Sequence, residues 1–367
     1  TTGADSPLVL QDQRLYLRRA WMAEQTIRQV LAARTQPLHP VDTAQVAVWI
    51  DALFSGLGTS ESELAQQADQ RSACMACLKH GLTLVSGGPG TGKTTTVARM
   101  LALMQRVHAT RQPDSTLRIL LAAPTGKASA RLAESMQSAI DRLPLEWRTG
   151  LPDSAATLHR LLIEQNTIWD VDVLVIDEAS MIDLERMAAL MEALPPRTRL
   201  ILVGDKDQLS SVEAGSVMGD LCRDLEIRGY SAETADWIQG ATGERLDAAT
   251  GSQCDALAQQ TVMLCHSERF AGYSGIGQLA EAVNLGDIPR ARAILTGDAP
   301  YPDVHWIETP GPGDRLLDAL CLGSRDGGQG SDTKGYRHFL EMIPEAIDTQ
   351  TTHPEGLTAV FNQLMEA

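Results

Sequence analysis

Nine residues, GGPGTGKTT from Gly87 to Thr95, constrain this chain more than any other stretch. They follow GLTLVS (Gly81 to Ser86), an apolar run expected to form a buried parallel strand, and lead into VARMLALMQ, which has helical spacing. Strand, glycine-rich turn and helix start in that order make a phosphate-binding loop of the pattern Gly87-x-x-x-x-Gly92-Lys93-Thr94. The glycines let the backbone curl so that successive N–H groups point at phosphate oxygens, and the helix N-terminus adds a favourable dipole. Lys93 would reach the β- and γ-phosphates, and Thr94 would set its hydroxyl on Mg²⁺. Gly88, Pro89, Gly90, Thr91, Gly92, Lys93, Thr94 and Thr95 are therefore candidate nucleotide contacts, and the chain is expected to bind a nucleoside triphosphate.

Three further apolar runs, RILLAA (Arg118 to Ala123), VDVLVI (Val171 to Ile176) and RLILVG (Arg199 to Gly204), are separated by helical segments. Such alternation predicts an α/β fold, a parallel sheet with helices on both faces, with ligands collecting at the carboxyl ends of the strands. Ahead of this core, PLVLQDQRLYLRRA (Pro7 to Ala20) predicts a small hairpin leading into a helix over Trp21 to Ala33. A second helix after Pro40 would bury Val46, Trp49, Ile50, Leu53 and Phe54, and a polar linker is expected from Gly56 to Glu63. Domain boundaries are accordingly expected at 1–62, 63–265 and 266–367. Loops are expected at Ala241 to Gln253 and Gly323 to Gly335, and helices over Ser274 to Asp287 and near Leu317. The last thirty residues read as helix plus strand.

Chemistry is expected at the strand ends. VLVIDEAS puts Asp177 and Glu178 after four apolar residues: Asp177 would hold Mg²⁺, and Glu178 would orient and deprotonate an attacking water. An acidic helix cap is the plainer reading of the same pair. In GDKDQLSSVEAG, Gln208 is suited to sense a γ-phosphate or water. Gln70, seventeen residues before Gly87, could read adenine's donor and acceptor with its amide, or could simply be solvated. In APTGKASARL, Thr125 and Lys127 with nearby backbone N–H groups could bind a phosphate of a polymer. TLHRLL adds His159, a contact or a core histidine.

Charge limits the partners. With 31 Lys plus Arg against 47 Asp plus Glu in 367 residues, the formal charge is −16, so any nucleic-acid site must be local. The exception to the acidic trend runs from Arg99 to Glu134, where Arg99, Arg106, Arg111, Arg118, Lys127 and Arg131 face only Asp114 and Glu134. The six cysteines are scattered, which favours a reducing, cytoplasmic setting, and Cys74-x-x-Cys77 lacks a second pair to complete a zinc site and reads as core packing. No apolar run has the length of a membrane span, and no membrane partner is expected.

Taken together, Gln70, GGPGTGKTT, APTGKA, TLHRLL, VIDEAS and GDKDQLSSVEAG resemble the motif series of superfamily 1 DNA helicases. Within them the chain resembles the RecD family, the alpha subunits of exodeoxyribonuclease V, from RLYLRRAW at Arg14 to SERFAGYSGIGQLAEAVNLGD ending at Asp287. The resemblance implies a RecA-like ATPase domain plus the start of a second, ATP and Mg²⁺ as ligands, and 5′ to 3′ movement on DNA in double-strand break repair. It implies RecB-like and RecC-like partner subunits and single-stranded DNA near Pro124, Thr125, Lys127 and His159. It also implies adenine contact by Gln70, phosphate and Mg²⁺ contact by Lys93 and Thr94, and water activation by Glu178. Arg269 in SERF matches an arginine that approaches the γ-phosphate from across the domain cleft. The family continues into a complete second domain, with a late Val-His-Lys-Ser-Gln-Gly-like motif and an arginine near a Thr-Ala-Val-Thr-Arg-like ending. Neither is found here, and the link between Leu162 and Trp169 is short for the family. Thr1 stands first in place of Met, so the native chain is expected to begin further upstream, and the family's N-terminal domain that helps dock the partner subunits is not found before Thr1. Two other readings stay open: a P-loop phosphotransferase acting on a small substrate, and an interaction subunit whose ATP site is regulatory.

Overall fold

The computed structural model describes residues 6–306 except 39, 164–169, 209–216, 223–228, 245, 247–255, 267–273, 298–300, 302 and 305. Its centre is a six-stranded, all-parallel sheet in the order β5-β4-β6-β7-β3-β8. These strands are β3 (Leu82–Gly87), β4 (Ile119–Ala123), β5 (Ala155–Thr157), β6 (Val173–Ile176), β7 (Arg199–Gly204) and β8 (Thr261–Leu264). β3 and β6 are buried at every position, because helices cover both faces, which is why they read as unbroken apolar runs.

Alternate strand residues feed two cores. Val85, Leu121, Val173, Val175, Ile201 and Val203 face one, which is filled by α2 (Thr43–Leu53), α3 (Glu61–Lys79), α4 (Lys93–Arg111) and α5 (Gly126–Asp141). Leu82, Leu84, Ala122, Leu174, Ile176 and Leu202 face the other, with α1 (Arg18–Arg34), α6 (Leu158–Ile163), α7 (Leu184–Ala193) and α8 (Val217–Leu221). A further helix, α9 (Ala232–Thr242), packs on α2 and α3. The expected α/β sheet with helices on both faces is therefore observed.

The N-terminal elements are part of this body. β1 (Leu8–Gln11) and β2 (Arg14–Leu17) form the expected hairpin, with Asp12 and Gln13 both at positive φ, as a two-residue turn with the right twist requires. α1 starts at Arg18, three residues before expectation. It sends Ala23, Ile27 and Leu31 into the core, while the Arg34 guanidinium donates to the carbonyls of Leu194 and Pro195 beyond α7. Val46, Ile50, Leu53 and Phe54 are buried as the spacing predicts, with Trp49 half-buried. The polar stretch ends earlier than expected, because Ser60 and Glu63 form a reciprocal capping box and Glu61 already lies in α3. Cys74 and Cys77 sit in the core with thiol pKa values raised by burial, to about 12 for Cys74.

Contacts divide the chain into residues 1–273 and 274–367. In the second unit, α10 (Gly275–Asn284) and α11 (Ile288–Thr296) pack together, and Asp303 accepts from the Ser274 hydroxyl and the N–H groups of Gly275 and Ile276. Most of the segment 241–253, the loop 323–335, the helix near Leu317, most of the 162–169 link and the last thirty residues lie outside the described residues.

β4 and β6, which carry two of the expected functional turns, are locked together at their starts. Asp172 accepts from the Arg118 backbone N–H at 2.9 Å and from its Nε at 3.2 Å. Burial pushes the Asp172 carboxyl up, but these bonds, with the charges of Arg118 and Arg197, outweigh burial and hold it below the usual carboxylate range. A carboxyl depressed in the folded state stabilises above its unfolded pKa and loses that effect as pH falls through the folded value. Asp172→Asn should cost about 1 kcal/mol at neutral pH, with the deficit shrinking toward zero below about pH 4, as read by urea unfolding across pH.

Candidate nucleotide site

The glycine-rich loop begins where β3 can go no further. A Cβ on Gly87 would stand 2.6 Å from Thr91 Oγ1, 2.9 Å from Leu264 Cβ and 3.0 Å from Leu264 O, so only glycine lets β3 end against β8. The backbone then curls through Gly90 and Gly92, at φ +79° and +81°. Gly92 is the N-cap of α4 and supplies no side chain, which leaves the first N–H groups of that helix without a side-chain cap. Thr91 donates to Gly88 O at 2.9 Å, and Thr96 to Gly92 O at 2.9 Å, fixing the curl from within. The Lys93 ammonium donates to Gly87 O at 2.7 Å and Gly88 O at 3.1 Å, held across the mouth of the loop.

Three strand ends bring the other groups to this loop. After β6 the Asp177 N–H donates to Ala122 O at 2.9 Å, extending the ladder with β4. Glu178 then turns sharply at φ 52°, ψ 39° into a short 3-10 turn over Ala179–Met181. A left-handed conformation in a glutamate is strained, and it re-aims the carboxylate at the strand end. That turn rests on Gly204, the last residue of β7, where a Cβ would lie 3.2 Å from Ser180 N. Beyond Gly204, Asp205 Oδ1 accepts from Asp207 N at 3.1 Å, and Lys206 N donates to Ser86 Oγ at 3.1 Å. The turn carrying Gln208 is thus tied directly to β3.

A cleft of about 670 Å³ gathers these parts. One side is the loop, with Gly88, Pro89, Gly90, Gly92, Lys93, Thr94 and Thr95. Opposite lie Asp177, Glu178 and Gln208, and the start of α5 supplies Thr125, Lys127 and Arg131. Burial raises the Asp177 carboxyl pKa; a hydrogen bond from the Glu178 backbone lowers it, the Glu178 charge raises it, and Lys93 and Arg131 pull it down. The upward shift prevails, so an ionised Asp177 is held at a cost that a cation in the cleft would relieve.

Other expected residues stand apart. Gln70 is buried rather than solvated, its Oε1 accepting from the Arg99 guanidinium and its Nε2 packed under Gly92. Thr91 is buried beneath the loop, with its hydroxyl turned inward. Pro124 leads into the Thr125 cap of α5, and His159 is exposed at the start of α6; neither lines the cleft. Arg269 lies outside the described residues. Arg131 was not singled out from the sequence as a site residue, although Lys127 and Arg131 at four-residue spacing share one face of α5. Of the basic run, Arg99 is committed to Gln70 and Phe54, Arg106 stacks over Trp147, Arg111 donates to Pro40 O, and Arg118 pairs with Asp170 and Asp172, leaving Lys127 and Arg131 on the cleft.

A family profile described as an AAA domain matches residues 70–214. The chain is 33% identical to the RecBCD enzyme subunit RecD of Haemophilus influenzae, over 96% of this chain and 55% of that protein. It is 39% identical to the RecD subunit of Mycolicibacterium smegmatis, over 80% and 46%. The ATP-dependent RecD2 DNA helicase of Deinococcus radiodurans is 34% identical over 58% of this chain and 27% of its own length. The chain spans about half the length of the RecD relatives it matches. A solved Bacteroides Pif1 bound to single-stranded DNA overlays with a TM-score of 0.32 at 16% identity, covering 59% of this chain and 45% of that one.

Two pairs of substitutions test the loop and the turn. Gly87→Ala should lower unfolding free energy by about 1–3 kcal/mol, through its clash with Leu264, whereas Gly88→Ala, with open space around its missing Cβ, should leave stability unchanged. Glu178→Gly should hold or raise stability, by up to about 1 kcal/mol, because glycine relieves the left-handed strain, while Glu178→Ala should gain nothing. Both series are read by chemical denaturation without nucleotide.

Proposed function

We propose that this chain, a relative of the RecD subunits over about half of their length, carries the ATP-binding motor domain of a 5′ to 3′ DNA helicase. Residues 63–265 would form the first RecA-like motor domain and residues 266–367 the beginning of the second, with 1–62 as the hairpin and helical segment. The observation that supports this best is the meeting, at neighbouring strand ends, of the lysine-bearing loop, the Asp177–Glu178 turn and the Gln208 turn in one cleft. Polarity, the RecB-like and RecC-like partners, cytoplasmic placement and a role in double-strand break repair follow from the family resemblance. Among the described residues no helix is long and apolar enough to cross a membrane.

The chemistry follows from positions. An incoming triphosphate offers Lys93 stronger acceptors than the Gly87 and Gly88 carbonyls it now holds, and the uncapped N–H groups of α4 add to the same attraction. Thr94 and Asp177 provide a hydroxyl and a carboxylate in one cleft, a hard-oxygen set that suits Mg²⁺. When bound, Mg²⁺ would neutralise charge on the β- and γ-phosphates. Glu178 would orient the attacking water and accept its proton, and Gln208 would sense the γ-phosphate and pass the change through Asp205 and Lys206 to β3. By the family resemblance alone, Arg269 would belong to the second domain and approach the same phosphate. Thr125 and Lys127 open on the cleft wall and Pro124 and His159 on strand ends beside it, so single-stranded DNA would run along these turns.

Hydrolysis should need closure of a second domain, so this chain alone should bind ATP–Mg²⁺ tightly and turn it over slowly. The measurement is phosphate release with and without single-stranded DNA, beside Glu178→Gln. Slow, DNA-stimulated release that disappears in the variant while nucleotide binding persists is expected. A phosphorylated small acceptor in place of free phosphate would replace this reading with a phosphotransferase.

A further inference from the structure

Lys93 is engaged with Gly87 O and Gly88 O, while Arg131 opens on the same cleft from α5. Arg131 is exposed, and among the described residues no hydrogen bond or ion pair engages its guanidinium. It stands one turn beyond Lys127, on the wall facing the loop and the Asp177–Glu178 turn, and its charge reaches the Asp177 carboxylate as that of Lys93 does. A long cationic side chain held on the first turns of a well-packed helix, with Met136 buried in the core, is placed but not committed. A planar guanidinium in such a cleft suits two oxygens of one phosphate, the ligand this site is built for.

Building on the nucleotide reading above, we propose that Arg131 is a second phosphate-contacting cation of this site, supplied by the motor domain itself and directed to the terminal phosphate of a bound triphosphate. It divides the work with Lys93. Lys93 sits on the glycine-rich loop and would hold the β- and γ-phosphates, and Arg131, which lines the same cleft as Glu178 and Gln208 from α5, would add a second contact to the terminal phosphate. The role differs from that expected of Arg269, which would arrive only when a second domain closes. Arg131 is present in the open domain and would report a triphosphate before closure.

The test uses the full-length protein and fluorescent analogues of ATP and ADP with Mg²⁺, without turnover, for wild type, Arg131→Ala, Arg131→Lys and Lys93→Ala. Arg131→Ala should weaken the triphosphate by about 10- to 100-fold and leave the diphosphate within about twofold, the range expected for one charge-assisted hydrogen-bonding partner. Arg131→Lys should recover part of the loss, and Lys93→Ala should weaken both nucleotides. Equal losses for the two nucleotides in Arg131→Ala, or no loss, would overturn the assignment while leaving the nucleotide site intact. A loss confined to single-stranded DNA binding would overturn it too, moving Arg131 to the DNA path. Failure of the wild type to bind either nucleotide would remove the underlying reading along with it.

Discussion

The contact on which the site depends is the meeting of β3 with β8 at Gly87. β3 is hydrogen-bonded on both sides, to β7 and to β8, and its last residue lies so close to Leu264 that no side chain fits between them. The phosphate-binding loop therefore leaves the sheet from a fixed point. From there ties run outward across the strand ends: Ser86 to Lys206, Gly204 against Ser180, Asp177 to Ala122. Each is short and made by backbone or by a small side chain. Gln208 stands two residues from Lys206, whose backbone N–H is bonded to Ser86, one residue from the loop. These strand ends form a linked series, the arrangement that the proposed sensing of a phosphate would use.

The same strand ends carry the structure's local costs. Glu178 is in a left-handed conformation, and Asp177 is an acid whose ionised form burial disfavours. Neither is explained by folding. A glycine would relieve the first and an amide the second, with the packing behind both unchanged. Strain and desolvation at two adjacent carboxylates at the floor of a cleft are what is expected when their positions serve chemistry.

Much of this was legible in sequence because the information is local. Buried parallel strands are continuous apolar runs, so the runs of β3, β6 and β7 mark these strands to within two residues, and the glycine pattern marks the loop between β3 and α4. What could not be read depends on partners far along the chain. Gln70 takes its orientation from Arg99, 29 residues on, and its burial under Gly92 follows from how α3 and α4 pack. Arg131 gains meaning only when α5 is laid beside the loop. The polar stretch before α3 ends earlier than its composition suggests for a smaller reason: Ser60 and Glu63 have the composition of a linker but form the reciprocal cap that starts the helix.

The state of Lys93 bears on how such a site is entered. Its ammonium already has two carbonyl acceptors from the loop, so the loop is held in its curled form by the very group that would grip phosphate. Binding then exchanges acceptors and does not order a loose segment, which avoids the entropy cost of fixing backbone at the moment of association. The exchange favours a ligand with enough negative charge to outcompete two neutral carbonyls, and a charge-assisted hydrogen bond is about twice as strong as a neutral one. The uncapped N–H groups at the start of α4 add to that preference without moving. On the proposed reading, a loop braced by its own lysine would favour polyphosphate before any base or sugar is read, and discrimination between one nucleotide state and another would fall to side chains across the cleft.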